Sequence, residues 1–298
     1  MKAFYSDQFV LPLPEDHRFP MSKYVRLREC LSGDTGLELR VPDAATDTDL
    51  LRVHAPAYLR SVVAGTLPRE AVRRIGFPWS PGLVERSRRS VGGTIGAARA
   101  ALADGRGANL AGGTHHAYPD RGEGFCVFND VAVATRALQA EGRIRRVAIV
   151  DLDVHQGNGT AVIFRHDPSV VTISVHGASN YPFRKEEGDL DIALPDGTGD
   201  EAYLDALGPA LDRVRRHKPD LLLYVAGADA YEHDKLGRLA VTSEGLAERD
   251  RRVFAVADEV AAPVAVVMAG GYAPEVDRIV EIHARTVREA ARTNPRPT

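Results

Sequence analysis

Two aspartates and a histidine alternate along Asp151-Leu152-Asp153-Val154-His155, directly after the apolar run Val147–Val150. In an extended chain, residues two apart project to the same side, so these three side chains can converge at the carboxyl end of a strand. A second apolar run from Leu221 ends in Gly227-Ala228-Asp229 and can set another carboxylate beside the first. Asp153, His155 and Asp229 would then form a site of two carboxylates and one imidazole, with a coordination position left open for water or substrate; that is the donor set of a catalytic metal centre rather than a structural one. Taken singly each residue has a plainer use, and an aspartate after a strand is more often a helix N-cap than a ligand. The alternation right after an apolar strand is what argues for metal.

Two further stretches carry reactive groups. Gly112-Gly113-Thr114-His115-His116 follows an apolar run, and two imidazoles delivered together can serve one pocket with each ring oriented by a different partner. A lone His-His pair is commonly packing or surface. Ala269-Gly270-Gly271-Tyr272 ends another apolar run and delivers a tyrosine on a glycine turn, where its hydroxyl can polarise a carbonyl.

The elements that must position these groups are legible from about residue 107 onward. Apolar, β-branched runs at 108–111, 147–152, 170–175, 221–226 and 264–269 alternate with helical patterns near 129–141, 200–217, 242–260 and 275–292. Runs that are apolar throughout suit central parallel strands covered on both faces, and the alternation predicts a doubly wound, mostly parallel α/β sheet flanked by helices. Residues 82–104 read as a long helix with small residues at close-packing positions, and the first 80 residues are less regular. With no repeat, low-complexity stretch or Gly/Ser linker, a single domain over 1–298 is expected. The 298 residues are 44% hydrophobic and 27% charged, with a net charge of −3, which gives no bulk attraction to nucleic acid. The arginine clusters at 73–74, 86–89 and 213–216 read as solvated helix faces. The N-terminus reaches Asp7 before any apolar run of signal-peptide length, and no later stretch approaches the roughly 18 apolar residues of a membrane span, so a cytoplasmic protein is expected. Two cysteines, Cys30 and Cys126, offer no disulfide framework, and any metal must rely on His, Asp or Glu.

The motifs GGTHHAYPDRGEGFCVFND, VDLDVHQGNGT, VAGADAYEHD and AGGY, spanning residues 112–272 in this order, resemble the histone deacetylase family. That family includes bacterial deacetylases, acetylpolyamine amidohydrolases and acetoin-utilisation proteins, and its fold is shared broadly with arginase. The resemblance implies metal ligation by Asp153, His155 and Asp229, a His115–His116 dyad, and Tyr272 as the electrophilic assistant. It also implies that Asp151 orients His115, that the Gly124 carbonyl holds the substrate amide, and that Phe125, with Tyr181 and Phe183, walls a narrow acyl-lysine channel. The metal would be zinc, with iron(II) as the alternative because nitrogen and oxygen donors without thiolate do not select zinc strongly. Potassium is expected near Asp151, Asp153, His155, Ser174 and Val175.

Asn158 stands where some branches carry an aspartate paired to the second dyad histidine; an asparagine there resembles the class II and class IV branches. A neutral partner should make His116 the weaker base and leave its tautomer less firmly fixed. The function implied is metal-dependent removal of acetyl or another short acyl group from the side-chain amine of lysine in a peptide or protein. Deacetylation of polyamines or small metabolites is the alternative, although the chain lacks large loop insertions. Two further readings stand beside these. A binuclear ureohydrolase would need more acidic ligands than the segment after Asp229 supplies, and a silent acyl-lysine-binding scaffold should have lost a ligand, a dyad histidine or Tyr272.

Overall fold

A computed structural model describes residues 1–9, 11–14 and 17–292. Its frame is one eight-stranded sheet in the order β2-β1-β3-β8-β7-β4-β5-β6, formed by β1 (Lys2–Phe4), β2 (Glu38–Arg40), β3 (Arg106–Asn109), β4 (Val147–Asp151), β5 (Val170–Gly177), β6 (Leu190–Leu194), β7 (Leu221–Val225) and β8 (Val264–Val267). Every registered pair is parallel, so the sheet goes beyond the mostly parallel expectation. The helices are α1 (Ser22–Leu31), α2 (Asp47–Leu50), α3 (Pro56–Ala64), α4 (Arg69–Ile75), α5 (Pro81–Asp104), α6 (Asp130–Ala140), α7 (Asn158–Phe164), α8 (Asp200–His217), α9 (Ser243–Glu259) and α10 (Val276–Arg292).

The central strands are buried along their whole length because both faces are covered. Along β4, Val147 and Ile149 enter the core layer shared with α5 and α6, whereas Ala148 and Val150 enter the layer shared with α8, α9 and α10. Along β7, Leu221, Leu223 and Val225 face the first layer, while Leu222 and Tyr224 face the second. The period of two along an unbroken apolar run therefore serves two cores at once.

Two differences from the sequence expectation bear on the site. The first of the predicted strands lies at Arg106–Asn109 rather than 108–111, because Gly107 presses against α5: a Cβ there would sit 2.1 Å from the Ala97 carbonyl oxygen. The first 80 residues are also far from irregular, supplying β1 and β2 at the sheet edge and helices α1 to α4. These strands are three residues each, too short for a periodicity to register.

From β4 the chain winds outward through β5 and β6, then returns to β7 on the other side of β4 and continues to β8. The winding thus reverses between β4 and β7. Crevices at the carboxyl ends of strands around such a switch point are where open α/β sheets bind ligands.

Candidate active site

Four adjacent strand ends deliver the reactive groups: His115 and His116 after β3, Tyr272 after β8, Asp229 after β7, and Asp153 and His155 after β4. Asp153, His155 and Asp229 each place a donor atom within 4.8 Å of the others. His155 Nδ1 lies 2.9 Å from Asp153 Oδ1 and 3.1 Å from Asp229 Oδ2. The backbone fixes the remaining oxygens, with Gly270 N–H donating to Asp153 Oδ2 at 2.8 Å and Val154 N–H to Asp229 Oδ1 at 2.9 Å. Only glycine fits at 270, since a Cβ would sit 1.8 Å from Asp229 Oδ2.

The charges show what this cluster lacks. Burial and the neighbouring Asp153 push the Asp229 carboxyl up to about 7. Burial also disfavours the Asp153 carboxylate, but His115 and His155 outweigh it and hold that group well below the usual range. His155 is raised to about 10 despite its burial, because it sits between both carboxylates. Among the described residues no lysine or arginine pairs with either acid, and the imidazole proton is their nearest cation. Two buried carboxylates and one imidazole aimed at a common point, without a lysine or arginine counter-charge, suit a divalent cation of borderline hardness.

The dyad rings are 4.1 Å apart and held differently. His115 Nδ1 is 2.6 Å from Asp151 Oδ2, and His116 Nδ1 is 2.7 Å from Asn158 Oδ1. Burial lowers the basicity of His115, but Asp151 and Asp153 more than offset it and raise the ring to about 9. Burial drives His116 the other way, well below its ordinary value, reinforced by His115 and His155. The neutral partner does not leave the His116 tautomer loose. Asn158 Nδ2 donates to Glu123 Oε1 at 2.8 Å and to the Tyr118 hydroxyl at 3.1 Å. A carboxylate only accepts, so the amide is oriented with Oδ1 toward His116; Nδ1 of His116 must then carry the proton, which leaves Nε2 with its lone pair. Glu123, 7% exposed, thus does indirectly what an aspartate at 158 would do directly.

Tyr272 is half-buried, and its phenol is kept neutral well above the ordinary range by burial and by Asp153 and Asp229. Its backbone N–H donates to Asp234 Oδ2 at 2.6 Å. From α1, Lys23 Nζ donates to the carbonyls of Ala269 at 3.1 Å and Gly271 at 3.4 Å, bracketing the turn. Gly124 and Phe125 both take positive φ, +55° and +64°, and their N–H groups donate to the Arg74 and Ile75 carbonyls at the end of α4. A Cβ at Gly124 would meet His116 Cδ2 at 2.5 Å. Phe125 lies 6.1 Å from the Tyr272 ring, and Tyr181 packs edge-on to His116 at 4.9 Å. Phe183 stands farther out: it is 88% exposed, packs edge-on to Tyr181 at 6.3 Å and lines the opening above the site.

Ser174 and Val175 lie on β5, with Ser174 in register with Asp151. The Ser174 hydroxyl is 2.9 Å from His176 Nδ1, and Val175 packs its side chain into the core. Cys126 is buried, with its thiol pushed up by that burial and donating to the Gly124 carbonyl at 3.3 Å. Sequence reasoning missed Lys23, Glu123, Asp234, Asp130 and His54 as supports. Asp130 accepts the Gly113 and Thr114 N–H groups, while His54 accepts the Asn129 N–H and meets the Tyr118 carbonyl, so both clamp the loop of the tandem histidines. Three of these five stand inside the motifs; Lys23 is one of several charged residues of α1, beside Arg26, Arg28 and Glu29, and His54 is a single histidine before α3, so neither is marked out by its local pattern.

An open parallel α/β sheet carries at its switch point a buried cluster of two carboxylates and an imidazole that could hold a metal ion, with two adjacent histidines beside it. The chain belongs to the histone deacetylase family: residues 17–287 match the histone deacetylase domain. It is 45% identical to an uncharacterised Picosynechococcus protein over 96% of this chain and 97% of that one. It is 34% identical to histone deacetylase 2 of Arabidopsis thaliana over 89% of this chain and 72% of the relative. In fold it is similar to acetylpolyamine aminohydrolase from Burkholderia pseudomallei, with a TM-score of 0.78, 24% identity, and coverage of 97% of this chain and 98% of the other.

Proposed function

We propose that residues 1–298 act as a single catalytic domain that hydrolyses the amide of an acetylated or short-acylated lysine side chain in a peptide or protein, working in the cytoplasm. The observation that carries this reading is the meeting of Asp153, His155 and Asp229 with a dyad whose two rings are driven to opposite protonation states. Those three residues would hold zinc or iron(II), and the ion would supply acidification of a water and polarisation of the amide carbonyl. His116 is neutral with its Nε2 lone pair free, so it takes the proton from the attacking water and returns it to the departing amine. His115, charged and held by Asp151, stabilises the negative charge that develops nearby. The Tyr272 hydroxyl donates to the oxyanion, and the turn fixed by Asp234 and Lys23 keeps that donor from having to reorganise. The Gly124 carbonyl accepts the substrate amide N–H, with Phe125 and Tyr181 flanking the acyl chain and Phe183 at the mouth. Water adds its oxygen to the acyl carbon and the amine leaves protonated, so the products are a carboxylate and lysine. Potassium against Asp151, Asp153, His155, Ser174 and Val175 would brace the same strand ends, a reading supported by the register of Asp151 with Ser174.

Acylated polyamines are the second substrate class, favoured by the fold likeness to the Burkholderia enzyme. Among the described residues, one group of three or more possible ligands is present, which speaks against a binuclear ureohydrolase. The test is turnover of an acetyl-lysine peptide and of acetylputrescine by the metal-reconstituted full chain. Peptide hydrolysis that collapses in Asp153→Ala is expected; fully metallated protein that cleaves no acylated amine would sink the reading.

A further inference from the structure

Above the dyad the site opens into a cavity of about 610 Å³ that shares His116, His155 and Tyr272 with the reactive centre. Its lining includes Arg18, Arg74, Lys235 and Arg238, all exposed, and, among the described residues, no carboxylate. These four cations come from three separate places: the segment before α1, the last turn of α4, and the loop after β7. Among the described residues only Arg238 has an ion-pair partner, Asp196 at 3.2 Å, which is itself exposed. Two acids next in sequence to lining residues, Asp234 and Glu123, are already engaged. Asp234 accepts the N–H groups of Leu236, Gly237 and Tyr272, and Glu123 accepts from Asn158 and Tyr181. The chain as a whole carries a net charge of −3, so a mouth of one positive sign runs against its average. A cleft lined by one sign between low-dielectric walls focuses field and raises the local concentration of the opposite charge.

We propose that the mouth selects acylated amines that carry carboxylates beyond the acyl-bearing arm, and disfavours cationic substrates such as acylated polyamines. This rests on the deacylase reading and narrows its substrate class. The carboxylates can come from acidic residues flanking an acyl-lysine in a peptide or from the free carboxylate of a small acylated amino acid, and the two sources share the same recognition. A polyamine brings further ammonium groups into the mouth, where Arg74 and Lys235 repel them.

The experiment measures kcat/KM of the metal-loaded full chain on acetyl-lysine peptides that differ only in flanks of Asp, Gln or Lys. Nε-acetyl-lysine, its α-amide and acetylputrescine are run beside them, and binding of the same peptides is read by fluorescence anisotropy. The expected order is Asp above Gln above Lys, with a spread of roughly tenfold or more at low salt. The spread should close near 1 M salt, where the Debye length falls to about 3 Å. The double variant Arg74→Glu/Lys235→Glu should reverse the order. A better rate on Nε-acetyl-lysine than on every peptide would identify the small source, and the opposite would identify peptides. Hydrolysis with a flat or reversed order at low salt overturns the charge selection and leaves the deacylase reading standing. Absence of all hydrolysis overturns the deacylase reading; the binding order then decides the mouth's preference by itself, and equal binding overturns that too.

Discussion

Asp153 and Lys23 are both buried charges of one site, 1% and 2% exposed, yet they arrive there by opposite routes. Asp153 follows a central strand, and the register of β4 against β5 and β7 decides where it lands. Lys23 reaches across from a helix in the first 80 residues and touches the site through backbone carbonyls on a turn 246 and 248 positions away. The same division holds more widely: strand ends supply the groups that would react, and the N-terminal segment supplies His54, Lys23 and the Arg74 and Ile75 carbonyls that hold their loops. Chemistry is thus set by sheet topology, while its geometry depends on segments with little chemistry of their own. That division predicts a difference in kind between substitutions in the two regions.

The largest effects should lie at the strand ends. His116→Ala removes the proposed base and should lower kcat by roughly 10²- to 10⁴-fold, and Tyr272→Phe, which keeps the ring but removes the proposed oxyanion donor, by roughly 10²- to 10³-fold. Bound metal, counted by mass spectrometry of the native protein, should stay near one equivalent in both, because neither is among the three residues proposed to hold it. Loss of metal in either variant would break the assignment of roles within the site.

How much of this was readable beforehand follows the same line. Asp151, Asp153, His155 and Asp229 were legible because each follows a long apolar run, and a strand's period of two announces where its last side chains point. The central strands were legible for the same reason. β1 and β2 were not, because three residues cannot establish a period, and their place at the sheet edge is fixed by partners distant in sequence. Glu123 lay in full view within the GEGF stretch, yet its role needs three-dimensional information: it orients Asn158, which in turn sets the His116 tautomer. How far out Phe183 stands, 88% exposed and edge-on to Tyr181, depends on the course of a loop held by Lys185, which is not written in any periodicity.

A mid-sized effect should appear in stability rather than catalysis. Burial lowers His54 to about 4, so the folded chain keeps it neutral while the unfolded chain protonates it below about 6.5. The unfolded state therefore binds more protons between those values, and stability must fall as pH drops through that window. From pH 7 to pH 5 the loss owed to His54 is about 2 kcal/mol. Urea midpoints at the two pH values, compared with His54→Gln, check it: the variant should be less stable at pH 7 but shallower in its pH dependence. Equal slopes would mean that this N-terminal clamp does not carry the pH sensitivity assigned to it.

Lys23→Met is the sharpest test of the division, although its effect is the smallest of these. Methionine keeps the length and apolar stem of the side chain but removes the ammonium that brackets the Ala269 and Gly271 carbonyls and lies 5.4 Å from the Tyr272 ring. The turn keeps its second anchor, the Asp234 bond to the Tyr272 N–H, so the tyrosine should loosen without leaving the site. A donor displaced by a fraction of an ångström loses transition-state stabilisation but not substrate affinity. The expected outcome is a kcat lower by roughly tenfold, with KM and bound metal unchanged. Combined with Tyr272→Phe it should cost almost nothing further, since a positioning residue has no role once the group it positions is gone. A full additional loss in the double variant would show that Lys23 acts on the reacting atoms themselves, and the contrast between reactive strand ends and a supporting N-terminal segment would then fail at its most exposed point.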